Sequence, residues 1–337
     1  MATSFSLIAR STGLPVHQWL MCLLFMALFS SSSTTMLSMV HAQILPSIQF
    51  NQAIDSAMAE LQSESTFTSF IQQALPYYSI PYCNLRPNYP SFSPIPSNVK
   101  TLTCCGPYKP TEDNWSSVYR KVATGLADKL NSKYGLQLSS VYKAINTTEL
   151  GYFESLRKAV NTGSCDVIVS DTTFTTERAA VVKFATCAYG SSTSGFLRTA
   201  LDANGTRIDE LSQLNAPNYI VAFYASTVYE MAANTTLPLA QKIRVTSLSD
   251  DPYNLVLQNK IHALISDAAD LNSWKATHSD QCSVCYVKAF GEQSPFGIFT
   301  AQTTRSSGSG FSMYGSSPMR MIMIGVFVVL MALFSAV

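Results

Sequence analysis

The sequence is short of charge and of histidine. Charged residues make up 13% of the 337 positions, the net charge is +1 and there are four histidines. The Lys and Arg are scattered and form no basic run, which argues against a nucleic-acid partner. No G-x-S-x-G, H-E-x-x-H or phosphate-loop pattern occurs, so the common nucleophile, zinc-hydrolase and nucleotide signatures are missing. Glu112, Glu149 and Glu177 have no acidic or basic partner that would make them a catalytic pair. Cys282-x-x-Cys285 with His278 offers three metal ligands but no fourth at metal spacing, so a short-loop disulfide is the simpler expectation. No catalytic residue, cofactor or metal is expected.

Long apolar runs are confined to the two ends. Arg10 precedes the run Trp19–Phe29, and a Ser/Thr stretch then leads to Val40-His41-Ala42. This is the n-region, h-region and small-residue cleavage pattern of a secretory signal peptide over residues 1–42. The run is too short to favour an uncleaved anchor. At the other end, small residues at 306–310, a polar spacer to Arg320 and an apolar tail, Met321–Val337, form the pattern of a GPI-attachment signal over 306–337, with Ser307 as the attachment site. The alternative is a C-terminal membrane anchor. Sequons at Asn114, Asn146, Asn204 and Asn234 fit the secretory route. The expected location is the extracellular face of the plasma membrane. An exported chain favours disulfides among Cys83, Cys104, Cys105, Cys165, Cys187, Cys282 and Cys285, with one left over and the connectivity open.

Between the ends, apolar spacing over 47–75 predicts two helices. Residues 76–96 hold six prolines and read as an extended linker. A strand over Val99–Cys105, a helix over Trp115–Tyr134, a strand over Leu136–Ala144 and a helix over Leu150–Val160 come next. Strands are also expected at Val167–Val169, Tyr219–Phe223, Ile243–Val245 and Ala263–Ile265. Strand–helix alternation predicts α/β architecture with parallel sheets. Breaks near 191–197 and 288–297 make two crossings between two lobes, placed at 43–194 and 195–289, with 290–305 returning to the first. Two crossings suit a hinged clamshell that closes on a ligand.

The stretch Cys165–Tyr189 carries the chemistry. The run Val167-Ile168-Val169 ends in hydroxyl residues, and Thr175-Thr176-Glu177-Arg178 looks like a helix start. Hydroxyls, free backbone N–H groups and an arginine one turn into a helix are how an anion is held at the carboxyl edge of an α/β sheet. Arg178 can fork onto a carboxylate and Thr173 can add a hydroxyl donor. The alternative is an ordinary strand–helix turn whose arginine pairs with a surface acid.

The order of Asp166, Ser170-Asp171, Thr173, Thr175, Glu177-Arg178, Val182, Phe184 and Tyr189 resembles the signature of family 3 extracellular solute-binding proteins, which have the type II periplasmic-binding-protein fold. Ala225-Ser226-Thr227-x-x-Glu230, Lys260-Ile-x-Ala263-Leu-Ile-Ser-Asp267 and Pro295-Phe296-Gly297-Ile298 are similar to later motifs of that family, so the likeness spans about 98–302. It implies that Thr173, Arg178, Ser226 and Thr227 take the carboxylate of an amino acid and that Asp267 receives the ammonium, with Asp171 a further ligand-binding residue. Tyr108 and Trp115 are the aromatic candidates, matching only loosely. Ala225 and His262 depart from the family's Gly and Asp. The stretch from Phe50-Asn51-Gln52-Ala53-Ile54 through Phe70-Ile71 resembles a helix pair that the family carries after its return strand, which implies a circular permutation. The function implied is binding of a small solute, an amino acid or similar zwitterion, without chemistry, with an unidentified transmembrane partner for signalling or uptake. The alternative is a dehydratase- or transglycosylase-like enzyme on the same scaffold.

Overall fold

The computed structural model describes residues 44–109, 113–199, 207–246 and 251–303. The expected signal peptide, Glu112, the Asn204 sequon, Ser307 and the C-terminal tail lie outside these residues.

Ser47 caps the first helix, its hydroxyl accepting from the Phe50 N–H at 3.0 Å, and α1 runs Ile48–Ser63. A one-residue break at Glu64 leads into α2, Ser65–Ala74. The apolar faces of the pair bury Phe50, Ile54, Met58, Leu61, Phe67 and Ile71. Each such side chain contributes about 1.5–3 kcal/mol, so the pair is an integral part of the core and not a loose preface. The proline-rich linker comes after it, without helix or regular strand.

Next come β1 (Thr101–Pro107), α3 (Asn114–Tyr134), β2 (Ser139–Ile145), α4 (Tyr152–Asn161), β3 (Val167–Ile168), α5 (Thr176–Ala179) and β4 (Val182–Phe184). Asp113 caps α3 through the Ser116 N–H, and Gly135 ends it in the left-handed region at φ 65°, where a side chain would be strained. The second half of the chain supplies β5 (Gly190–Arg198), β6 (Ile220–Tyr224), α6 (Val228–Thr236), β7 (Gln241–Val245), α7 (Pro252–Leu257), β8 (Ala263–Asp267), α8 (Ala268–Thr277), β9 (Tyr286–Phe296) and β10 (Phe299–Ala301).

Two five-stranded sheets result. The first has the order β2-β1-β3-β10-β4 and the second β7-β6-β8-β5-β9. In the first, β1 pairs in parallel with β2 and β3, while β10 runs antiparallel between β3 and β4. In the second, β6 pairs in parallel with β7 and β8, and β5 runs antiparallel between β8 and β9. The central strands are apolar on both faces, as helices cover both: Ala263, Leu264 and Ile265 are all fully buried in β8, while the edge strands β2 and β7 are largely exposed. The chain leaves the first sheet through β5 and returns through β9 and β10. This is the two-lobed α/β clamshell expected from the sequence.

The helix pair belongs to the first lobe. Its side chains share one cluster with Val118, Val122 and Leu126 of α3 and with Phe296 and Ile298. Thr300 of β10 donates to Asn51 of α1 at 2.7 Å, and the Gln62 amide donates to Ala188 O at 2.7 Å. Two disulfides staple this lobe, Cys83–Cys187 and Cys105–Cys165, and a third, Cys282–Cys285, closes a short loop after α8. Cys104 is the buried free thiol.

The helix that starts at Thr175–Arg178 is brief: α5 has four residues, and Val182 enters β4. Its partner β10 comes from the far end of the chain, and a long-range pairing of this kind overrides local spacing.

Candidate functional site

A cavity of about 430 Å³ opens between the two lobes, within the size range of small-ligand sites. Three parts of the chain wall it. The N-terminal segment brings Leu75, Pro76, Tyr77 and Tyr78. The first lobe brings Lys109, Asp113, Trp115, Tyr152, Asp171, Thr173 and Arg178. The second brings Tyr224, Thr227, Tyr229, Tyr253, Asp270 and Trp274.

Arg178 is the polar centre of the first wall. Thr175 caps α5, accepting from the Arg178 N–H at 3.3 Å, so the arginine stands one turn into the helix. Its side chain is 9% exposed and lies over the Phe153 ring at 4.7 Å. One guanidinium nitrogen donates to Thr173 O at 3.1 Å and another to Ser226 O at 3.3 Å. The guanidinium therefore touches both lobes. Burial pulls its pKa down from the ordinary value, and the charges of Tyr152, Tyr229 and Asp171 oppose that fall. An arginine stays protonated under such a shift.

Asp171 sits beside it. Its carboxylate accepts from the Tyr119 hydroxyl at 2.9 Å and from the Tyr152 hydroxyl. Thr173 presents its carbonyl to Arg178 and bridges Phe296 on the return strand. Thr227 lines the cavity and caps α6, accepting from the Glu230 N–H at 3.4 Å. Ser226 holds φ 58°. Its hydroxyl donates to Leu150 O across the lobes at 3.3 Å, and its N–H donates to Glu230. Ser226 thus reaches the site through its carbonyl, and its hydroxyl faces away.

The second wall is organised by two acids at the start of α8. Asp267 caps the helix: its carboxylate accepts from the Ala269 N–H at 2.9 Å, from the Ser192 hydroxyl and from Tyr229 at 3.4 Å. It does not line the cavity. Burial, and then the charge of Asp270, push its pKa up to about 7. Asp270, one turn on, does line the cavity. It accepts from the Trp115 indole N–H at 3.3 Å. Burial raises its pKa, while Lys109, Tyr78 and Trp115 oppose the rise.

Of the eight ligand residues expected from the sequence, Asp171, Thr173, Arg178, Thr227 and Trp115 come together around the cavity. Ser226 touches Arg178 from behind. Asp267 is turned into its helix cap. Tyr108 is 50% exposed and stands outside. Sequence reasoning did not single out Tyr78, Tyr229 or Asp270. Asp270 had a signal, since it lies one helical turn after Asp267 and faces the same side. Tyr78 had a weaker one, as an aromatic residue where the linker begins. The sequons at Asn114, Asn146 and Asn234 are exposed, and Asn114 borders the cavity.

No protein-family model and no curated protein matches the chain. Among solved structures, the chain is similar to an ancestral amino acid-binding protein that is a precursor of cyclohexadienyl dehydratase (22% identity, TM-score 0.47, covering 60% of this chain and 82% of that one). It is also similar to an ancestral arginine-binding protein bound to arginine (16% identity, TM-score 0.48, 60% and 85% covered). A third is the arginine-bound form of truncated ArgBP from T. maritima (15% identity, TM-score 0.46, 60% and 88% covered).

Proposed function

We propose that the chain binds a small zwitterionic solute, an amino acid or a close analogue, in the cleft between its lobes and performs no chemistry on it. The observation that carries this reading is the buried guanidinium of Arg178 on one wall of a cavity whose other wall presents the carboxylate of Asp270. A carboxylate suits the remaining donors of Arg178, and an ammonium suits Asp171 and Asp270. Charge-assisted bonds of this kind contribute about 1.5–3 kcal/mol each. Because Arg178 already reaches both lobes, a carboxylate bound there joins them and favours closure.

An enzyme reading needs a group in the cavity that titrates near neutrality. Asp267 has the right pKa, but its oxygens are occupied by Ala269, Ser192 and Tyr229 away from the ligand space. Binding is favoured on that ground. Titration calorimetry with single amino acids tests it. Heat of binding with wild type, lost in Arg178→Ala, supports the reading, and a measured turnover of the bound compound overturns it.

We read the protein as displayed on the outer cell surface by a lipid anchor attached at Ser307. A phosphatidylinositol-specific phospholipase should release it from membranes, and retention would contradict the anchor. We also read α1 and α2 as the helix pair that solute-binding relatives carry after the return strand, moved to the front of the chain. The Asn51–Thr300 bond and the shared core with α3 support this. A chain rearranged to place residues 47–96 after residue 303 should fold and keep ligand affinity.

A further inference from the structure

The charge around the cavity is unbalanced. Among the described residues that line it, two are basic, Lys109 and Arg178, and three are acidic, Asp113, Asp171 and Asp270. Lys109 is committed: its ammonium pairs with Asp113 at 2.9 Å and lies over the Trp115 ring at 5.7 Å. Arg178 and Asp171 stand on the same wall and suit the two charges of an amino-acid backbone. Asp270 is left on the opposite wall, where the indole of Trp115 donates to it.

The surroundings of Asp270 are those of a cation site. Tyr78 meets the Trp115 ring edge-on at 5.0 Å, and Tyr253 stacks on Trp274 at 4.6 Å. All four rings line the cavity. Trp274 is stacked between Tyr253 and His278, so the ring beside Asp270 is that of Trp115, over which one cation, Lys109, already lies, and aromatic faces attract positive charge. A neutral apolar side chain here would leave the Asp270 carboxylate with Lys109 as its compensating charge, and that ammonium is already paired with Asp113, an arrangement that is costly for a desolvated acid.

We propose that Asp270, with Tyr78 and Trp115, forms a second subsite that takes a positively charged group, so that the ligand is an amino acid with a cationic side chain. This rests on the reading of the cleft as an amino-acid site. Tyr78 comes from the segment that joins α2 to the proline-rich linker, packed in the core of the first lobe.

The test is calorimetry on the whole secreted chain with L-lysine, L-norleucine and L-glutamate. Lysine and norleucine share their carbon chain and differ by the terminal ammonium. Lysine should bind at least about tenfold tighter than norleucine, the worth of one charge-assisted contact, and glutamate weakest. In Asp270→Asn, the lysine–norleucine gap should close to about twofold. Norleucine binding as tightly as lysine to the wild type would overturn the subsite and leave the amino-acid reading standing. A tenfold gap that survives in folded Asp270→Asn would also overturn it. Absence of binding by all three would remove both readings. The wild-type series needs no variant, so the proposal stands or falls even if Asp270→Asn fails to fold.

Discussion

Arg178 is buried, charged and shared between the lobes, and even its most conservative substitution removes its geometry. Lysine cannot reach Thr173 O and Ser226 O together while offering a fork to a carboxylate. Arg178→Lys should therefore lower ligand affinity about tenfold or more, read by calorimetry. Unchanged affinity would take the carboxylate away from this residue. Asp267 makes a prediction of opposite character. Its folded pKa of about 7 lies above the ordinary 3.8, so between those values the folded state holds a proton that the unfolded state has released. Its contribution to stability is then fully present below about pH 4 and is lost as pH rises toward 7. The ligand-free protein should thus melt higher at pH 5 than at pH 7.5, and Asp267→Asn should shrink that difference. An identical difference in the variant would assign the effect to other groups. Arg178 was legible from sequence because hydroxyls, a helix start and an arginine lie close together in one short stretch. Asp270 and Tyr78 were not, because their relevance depends on where α8 and the linker are placed by long-range packing, which spacing does not report.

At the scale of elements, the segment from α2 to Cys83 fastens onto both crossings. Ser79 and Ser191 exchange backbone hydrogen bonds at 3.2 and 2.7 Å, which ties the segment to β5. The Tyr78 ring meets Phe296, at the end of β9, edge-on at 5.5 Å. The Cys83–Cys187 disulfide anchors the segment just before β5 and spans 104 residues of sequence. Removing a crosslink over so long a loop typically costs about 2–5 kcal/mol. The Cys83→Ser, Cys187→Ser double variant should lose stability in that range by denaturant melting and bind ligand more weakly. Full affinity in a folded variant would show that the segment is held without the bond. The two crossings also meet each other. A Cβ on Gly190 would overlap the Phe296 ring, and Phe296 is packed among Tyr78, Trp115 and Tyr189. Gly190→Ala should cost about 1–3 kcal/mol as overpacking, read by the same denaturant melting. The strands, most helices and the crossing positions could be read from alternation and caps. The linker could be read as irregular but not as a wall of the site, since prolines exclude regular structure without saying where the chain then lies.

For the whole molecule, the proposed binding would make ligand capture and closure of the two lobes one equilibrium. Contacts across the cleft already exist: Trp115 to Asp270, Arg178 to Ser226 O, and Ser226 to Leu150 O. A ligand that adds bonds to Arg178 and Asp270 together strengthens the closed state by its preference for it. Fold class could be read from the sequence because strand–helix alternation is a local pattern repeated along the chain. Ligand charge could not, because it is a property of the assembled cavity. The most direct measurement is thermal melting of the whole secreted chain with each common amino acid. At a hundred times its dissociation constant, a ligand adds about 2.7 kcal/mol to the native state, worth roughly 5–10 °C for a chain of this size. The account predicts such a shift with lysine or arginine, little with glutamate, and none in Arg178→Ala. No shift with any amino acid would contradict it.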